Sequence, residues 1–225
     1  MNSINLAQAL QHVSVSIIPI LMGMILHELA HGWVAYKMGD PTAKLMGRLT
    51  LNPLSHLDPA GSMFFLLTAA TSSAVGMPLI LGWAKPVPIN PRYFRNVRLS
   101  MILVSLAGAA ANLLLAFVFA VLLFALPALD PQISKGGFLF STCRFGLIIN
   151  CSLAWFNLLP VPPLDGSKVL AGFMPTALIR PYLSLERYGM AAIVLLLVFG
   201  LVGKVVLPMS ALTVQLFGSI ISRFI

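Results

Sequence analysis

Two histidines and a glutamate in ILHELAHGWVAYKMGD, residues 25–40, have the types and spacing of a metal-dependent hydrolytic site. His27 and His31 are four residues apart, so on a helix both imidazoles lie on one face and can reach the same metal ion. Glu28 lies beside them, where its carboxylate can accept a proton from an attacking water molecule. The pattern H-E-x-x-H is typical of helices that bind zinc and supply a general base. These three residues are therefore predicted to form the core of a metal site.

The surroundings of this motif are those of a membrane protein. The 225-residue chain is 59% hydrophobic and 9% charged, whereas soluble domains carry about 25% charged residues. A charged side chain inside a membrane span is costly, so ionisable residues there are usually functional. The chain places one of its six acidic residues and two of its four histidines at this one position. This concentration favours a metal site over a chance occurrence of the pattern.

A catalytic zinc ion takes three protein ligands and keeps one position for water, so a third ligand must come from elsewhere in the chain. The residues that could reach the site are Asp165, Asp58, His56, Glu186 and, more weakly, Cys151. Asp165 is the best placed, because it follows an apolar span in FNLLPVPPLDG, residues 156–166. The prolines of this stretch stop a helix, so the chain can turn the aspartate back toward the bundle. The alternative is an ordinary cytoplasmic turn, since Pro-x-Asp-Gly is common turn chemistry.

Four segments are long and apolar enough to cross the hydrocarbon core, which takes about 20 residues. They are residues 13–38, 99–126, 138–160 and 188–207. The sequence therefore predicts an all-α polytopic membrane protein with a single integral membrane domain over residues 1–225. A small β-like loop is expected near residues 44–53, where GRLTLNP alternates. The tail 208–225, after Pro208, would be another short helix or a surface helix.

The basic residues predict the orientation of the chain. Ten of the fourteen lysines and arginines fall in three loops, which the positive-inside rule assigns to the cytoplasm. The net charge of +8 is explained by these loops, so nucleic-acid binding is not expected. The metal site would then lie toward the cytoplasmic side of a multi-pass protein of the cell membrane. The ten residues are Lys37, Lys44, Arg48, Lys85, Arg92, Arg95, Arg98, Lys168, Arg180 and Arg187.

The apolar stretch 61–82 conflicts with this orientation if it crosses the membrane once, because the basic loops on both sides of it are assigned to the cytoplasm. It is too short to cross twice. We expect a re-entrant segment, of the kind that is tolerated where the backbone is buried in protein or lines a cavity. The alternative is an ordinary fifth span, with the positive-inside rule broken at residues 85–98.

Two blocks, HELAH at 27–31 and NLLPVPPLDG at 157–166, occur together with GRLTLNPLSHLDPAGS at 47–62 and GWAKPVPINPRYFRN at 82–96. In these blocks the chain resembles the site-2 protease family of intramembrane zinc metalloproteases. LAGAAANLLLA at 106–116 is similar to a further element of the family, although an alanine replaces its usual proline. The resemblance is to a small form without a peptide-binding PDZ domain or a nucleotide-sensing domain.

The resemblance implies one Zn²⁺ per chain and a catalytic role for Glu28 as the base. It also implies that Asn157 helps to hold the substrate or the oxyanion, and that Asn112 supports the site. The implied activity is hydrolysis of peptide bonds within or near transmembrane segments of membrane proteins, with single-span proteins in the lipid bilayer as the expected substrates. The implied metal ligands are His27, His31 and Asp165.

Two other functions compete with this interpretation. A non-catalytic zinc-binding membrane protein, either a pseudoprotease or a chaperone, would bind the span of a partner without cutting it. A metal transporter would need several layers of acidic or histidine residues along a path, and the sequence shows one cluster. Glu28 favours the protease, because a protein that only binds zinc has no need of a base beside its ligands.

Overall fold

The computed structural model describes residues 6–61, 63, 85–129 and 137–223. Within these ranges the regular structure is helical and contains no β-strand, as the all-α class predicts. Short 3₁₀ helices cover Pro53–Ser55, Pro91–Tyr93 and Ser184–Tyr188. The α-helices are α1 (Leu6–Lys37), α2 (Thr42–Leu45), α3 (Val97–Leu129), α4 (Phe138–Asn157), α5 (Asp165–Phe173), α6 (Thr176–Leu183), α7 (Gly189–Val198) and α8 (Leu201–Ile221).

Several of these helices form because an apolar chain in lipid must satisfy its backbone hydrogen bonds internally. α1, α3 and α4 coincide closely with the first three predicted spans. α3 begins after Asn96, whose side chain accepts a hydrogen bond from the Leu99 amide and so caps the helix. Among the described residues, five stretches are long and apolar enough to cross a membrane: Ser14–Lys37, Val97–Leu126, Phe138–Asn157, Thr176–Val198 and Val202–Ile221.

The three helices α1, α3 and α4 pack together and fix the end of the bundle where the metal motif lies. α1 runs beside α4, where the Asn150 side chain donates to the Pro19 carbonyl at 3.5 Å. It runs against α3, where His31 contacts the Val104 carbonyl. The main apolar core lies between α3 and α4 and is closed by α8; its buried members are Leu115, Ala116, Phe119, Ala120, Cys143, Leu147, Cys151 and Ile221.

The prediction of one continuous span over residues 188–207 is wrong. α7 ends at Val198, Gly200 takes a left-handed conformation with φ of 67°, and α8 begins at Leu201. Apolar composition could not show this break, because only the backbone freedom of Gly200 marks it. α7 has 10 residues and is about 15 Å long, half the thickness of the hydrocarbon core. α8 has 21 residues, enough to cross, and contains Pro208, so 208–225 is not a separate tail helix.

The segment Thr176–Val198 is a chain of short pieces that begins at the end of the bundle where α3 starts. Arg98 donates to the Thr176 hydroxyl at 2.9 Å, and the Tyr182 hydroxyl donates to the Pro160 carbonyl at 2.8 Å. α8 then runs parallel to α3, in the same direction. Its Ser210 lies 3.4 Å from Ser152, and further along, its Phe217 packs edge to face on Phe117.

The β-like loop expected near residues 44–53 is also corrected. Thr42–Leu45 is a short α-helix, and residues 46–52 form turns and bends without a strand. A half-buried strand would turn Leu51 inward and Arg48 outward. Instead, Leu51 is 63% exposed and Arg48 is 8% exposed. The alternation of apolar and polar residues in this stretch therefore does not mark a strand, because Arg48 points inward. Most of the predicted re-entrant segment 61–82 lies outside the described residues.

Candidate metal centre

α1 presents the two histidines of the motif to the interior of the bundle. His27 and His31 are one helical turn apart, and both are buried. Their rings meet edge to face, with centroids 4.5 Å apart, and their Nε2 atoms lie 2.9 Å from each other. The shared face predicted from the spacing of four residues is thus present, and both Nε2 atoms point to the same place.

Asp165 completes this cluster from the first residue of α5. α4 ends at Asn157, and the proline-rich connection returns the chain so that the Asp165 side chain is buried against α1. Its Oδ2 lies 3.1 Å from His27 Nε2 and 3.0 Å from His31 Nε2.

The three atoms fit a divalent metal ion such as zinc. They form a nearly equilateral triangle with edges of 2.9, 3.0 and 3.1 Å. In a tetrahedral site with zinc–ligand bonds near 2.0 Å, the ligand atoms are about 3.3 Å apart. Among the described residues, this is the group of three ligand-bearing side chains that could hold a metal ion.

The hydrogen bond of His31 Nδ1 shows which of the two ring nitrogens is free to bind a metal. Nδ1 lies 2.7 Å from the Val104 carbonyl oxygen, so it must carry the proton and donate. Nε2 then has its lone pair available toward His27 and Asp165, as in metal sites where a carbonyl fixes the tautomer of the ligand. Sequence analysis missed this contact, because any residue supplies a backbone carbonyl.

Gly108 allows α3 to approach the histidines closely. A Cβ atom at this position would lie 2.5 Å from His27 Cε1 and from His31 Nε2, so the two rings occupy the space of a side chain. Asn112 follows one turn later on α3; its Oδ1 and the Nδ1 of His27 are both buried without a hydrogen-bond partner among the described residues. The supporting role of Asn112 remains a prediction.

Glu28 faces the other side of the site, toward residues 85–90, which we call the strap. Glu28 Oε2 accepts a hydrogen bond of 2.8 Å from the Val87 amide. The strap is held at its start by Arg48, whose Nη2 donates to the Lys85 carbonyl at 2.7 Å. At its end the Asn90 amide donates to Asp40 at 2.6 Å. The Glu28 carboxylate is therefore fixed by a main-chain donor that sequence analysis did not identify.

A cavity of about 210 Å³ joins these groups. Asn157 lines it, and the side-chain amide of Asn157 donates through Nδ2 to the Leu153 carbonyl at 3.0 Å. Lys168, which sequence analysis treated only as a loop charge, also lines it. In the sequence, the indication that Lys168 could reach the site is its position three residues after Asp165, which makes the two side chains neighbours on a helix. The remaining lining includes His27, Glu28, His31, Val87, Val104, Ser105 and Asp165.

The other candidates for the third ligand lie elsewhere. His56 is buried in the loop before the strap, where its Nε2 contacts the Thr50 carbonyl at 2.7 Å. Asp58 accepts from the Gly61 amide at 2.7 Å. Glu186 is exposed in a 3₁₀ helix, and Cys151 belongs to the apolar core between α3 and α4. Within the described ranges, none of the four joins the histidines.

Comparison with known proteins agrees with a zinc site formed by the two histidines and Asp165. The profile of peptidase family M50 matches residues 130–201. Three relatives share the name "Putative zinc metalloprotease". YwhC of Bacillus subtilis is 39% identical over 86% of this chain and 84% of its own. Rip2 of Mycolicibacterium smegmatis is 32% identical over 84% of this chain and 70% of its own. MJ0611 of Methanocaldococcus jannaschii is 32% identical over 69% of each chain.

No solved structure matches the chain. The similarity to YwhC nevertheless extends over most of both sequences, and the family profile covers the connection that carries Asn157 and Asp165. On these grounds the chain belongs to peptidase family M50, the site-2 protease family of zinc metalloproteases.

Proposed function

We propose that this protein is an intramembrane endopeptidase that cuts peptide bonds within or near the transmembrane segments of other membrane proteins. One observation carries the proposal: the three ligand atoms and Glu28 line one cavity, and two of the three ligands stand with Glu28 on a helix apolar enough to cross a membrane. Single-span proteins are the expected substrates, because one helix can enter such a site sideways from the lipid bilayer. One zinc ion per chain is expected, held by His27, His31 and Asp165.

The residues of the chain divide the chemistry among them. When bound, zinc supplies a Lewis acid that lowers the pKa of water and polarises the scissile carbonyl. Glu28 takes a proton from the attacking water and delivers it to the leaving amine. The Val87 amide donates to Oε2 of Glu28, which lowers the basicity of that oxygen and favours Oε1 for the proton transfer. Asn157, which lines the same cavity, holds the substrate backbone or the oxyanion.

The active site is proposed to face the cytoplasm. The basic loops on either side of residues 61–82 support this orientation, and they touch each other: the Lys85 amide donates to the His56 carbonyl at 2.8 Å. Single cysteines at Ser55 and Asn90, in a variant lacking the two native cysteines, should both react with an impermeant reagent from the cytoplasmic side. A cysteine at Asp130 is the control, because the loop between the predicted spans 99–126 and 138–160 should then be external.

Labelling of the Ser55 and Asn90 cysteines from opposite sides of the membrane would reject the re-entrant segment and leave 61–82 as an ordinary span. Labelling of both from the outside would keep the re-entrant segment and reverse the proposed orientation.

Reconstitution tests the proposed activity directly. The purified protein would be placed in liposomes with a single-span model peptide whose transmembrane helix contains glycine, so that the helix can unwind. We expect a cut within or near the span, its loss after chelation and its recovery when zinc is restored. The same peptide in aqueous solution is the control for cleavage outside the membrane. If zinc is bound and no single-span peptide is cut, the non-catalytic zinc-binding protein becomes the better interpretation.

A further inference from the structure

The two oxygens of the Asp165 carboxylate have different partners. Oδ2 faces His27 and His31 at 3.1 and 3.0 Å. Oδ1 lies 3.3 Å from Nζ of Lys168, three residues later on α5. The carboxylate is thus divided, with one oxygen directed at the metal centre and the other directed at a lysine that the proposed reaction has not used.

Lys168 lies at the site and is not an ordinary surface lysine. Its side chain is 37% exposed, but that of Asp165 is 9% exposed, so one half of the ion pair lies inside the protein where water screens it poorly. Lys168 also lines the cavity that contains Glu28 and Asn157. The short helix α5 fixes the pair, because residues three apart on a helix are neighbours.

An aspartate ligand without such a partner has two equivalent oxygens. It can rotate about its Cβ–Cγ bond, offer either oxygen to the metal or offer both, and each alternative changes the number of ligands. A cation on Oδ1 removes these alternatives, because it binds one oxygen and leaves the other. Groups that hold metal ligands in this way commonly change metal affinity or activity by about 10–100-fold when they are removed.

We propose that Lys168 is a positioning residue of the metal centre, which holds Oδ1 of Asp165 so that Oδ2 alone is presented to the ion with His27 and His31. The inference rests on the proposed function, since it assigns a role within the same zinc site. Lys168 acts through Asp165, and it need not touch the substrate.

The test measures metal binding in the full-length protein in detergent. Zinc affinity would be determined by competition with a chromogenic chelator for the wild type, Lys168→Met and Lys168→Arg. Lys204→Met is the matched control, because it removes an exposed lysine of α8 that does not line the cavity. We expect Lys168→Met to bind zinc about 10–100-fold more weakly, Lys168→Arg to recover most of the affinity, and Lys204→Met to match the wild type.

The absorption spectrum of bound Co²⁺ distinguishes a change at the metal ligands from a general loss of stability. The visible absorption of Co²⁺ depends on the number and geometry of its ligands, so Lys168→Met should change the spectrum and Lys168→Arg should restore it. If Lys168→Met does not fold, Lys168→Ala takes its place, since alanine suits a helical position. Wild-type affinity and an unchanged cobalt spectrum in the folded variant would overturn the inference alone. A wild-type protein that binds no zinc would overturn the proposed function with it.

Discussion

The site has two walls that are built in different ways. On one side, the helices α1, α3 and α5 bring together the two histidines, Gly108 and Asp165, and the contacts among these four residues are between buried side chains or closely packed backbone. On the other side lies the strap, residues 85–90, an extended segment with two prolines. It is held by side chains that bind its backbone: Arg48, Glu28 and Asp40.

This difference between the walls separates two tasks of the site, metal binding and proton transfer. The helical wall contains the three candidate ligands, so metal binding should depend on it and tolerate changes in the strap. Glu28 belongs to both walls, because it stands on α1 but is held by the Val87 amide of the strap. Proton transfer should therefore depend on both. Variants that affect zinc and cleavage separately can test this division.

The largest effect is expected from removing the ligand of α5. Asp165→Ala should lose most of its zinc and all measurable cleavage, because two imidazoles alone leave the site short of a ligand. Asp58→Ala is the matched control, since Asp58 caps a turn through the Gly61 amide and should keep its zinc. Elemental analysis of the purified proteins measures this. Full zinc in Asp165→Ala, together with loss in Asp58→Ala, would exclude Asp165 as the third ligand.

Removing the base should separate the two tasks. Glu28→Gln should bind zinc normally, because Glu28 stands beside the ligands, while cleavage should fall by about 10²–10⁴-fold, the usual contribution of a general base. Glutamine matches glutamate in size, so the Val87 amide can still donate to the side-chain oxygen. Zinc content and cleavage of the single-span peptide would be measured on the same preparation. Undiminished cleavage with zinc bound would remove Glu28 from the mechanism.

Much of the helical wall could be predicted from the sequence. The spacing of His27 and His31 fixes a shared helical face, and the prolines before Asp165 show where a span must end and turn. These signals are specific because few residue types bind zinc. The apolar runs also show most of the crossing helices, since about 20 such residues have few alternatives in a membrane.

The strap and the C-terminal helices could not be predicted in the same way. The Val87 amide and the Val104 carbonyl are main-chain groups that almost every residue carries, so only the folded chain shows which of them meets a polar side chain. Gly108 is one of seventeen glycines, and its closeness to the histidines depends on helix packing. The break at Gly200 lies between apolar residues, where composition is uniform.

A smaller effect is expected from removing the hydrogen bond between the walls. Val87→Pro deletes the amide that holds Glu28, and a residue between two prolines already favours the extended backbone that proline requires. A hydrogen bond to a charged group contributes about 1.5–3 kcal/mol, so kcat should fall by about 10-fold or more, with zinc affinity unchanged. Val87→Ala is the control, because it keeps the amide and shortens the side chain. Equal rates for both variants would show that the amide does not position the base.

The smallest effect should come from a methyl group placed between the strap and α1. A Cβ at Gly32 would lie 2.7 Å from Leu49 Cδ2 and 2.9 Å from Val87 Cγ1. Both atoms are the ends of side chains, so they can move by a small distance. Gly32→Ala should therefore reduce cleavage only a few-fold, by shifting the Val87 amide relative to Glu28, and leave zinc affinity unchanged.

The matched change on the helical wall is Gly108→Ala, where the methyl group would meet the histidine rings at 2.5 Å. Those rings cannot move without leaving the triangle that they form with Asp165, so this variant should weaken zinc binding more than Gly32→Ala weakens cleavage. Zinc competition and peptide cleavage, measured for both alanine variants, give four values. If Gly32→Ala also weakens zinc binding, the strap contributes to the metal site and the two walls are not separate.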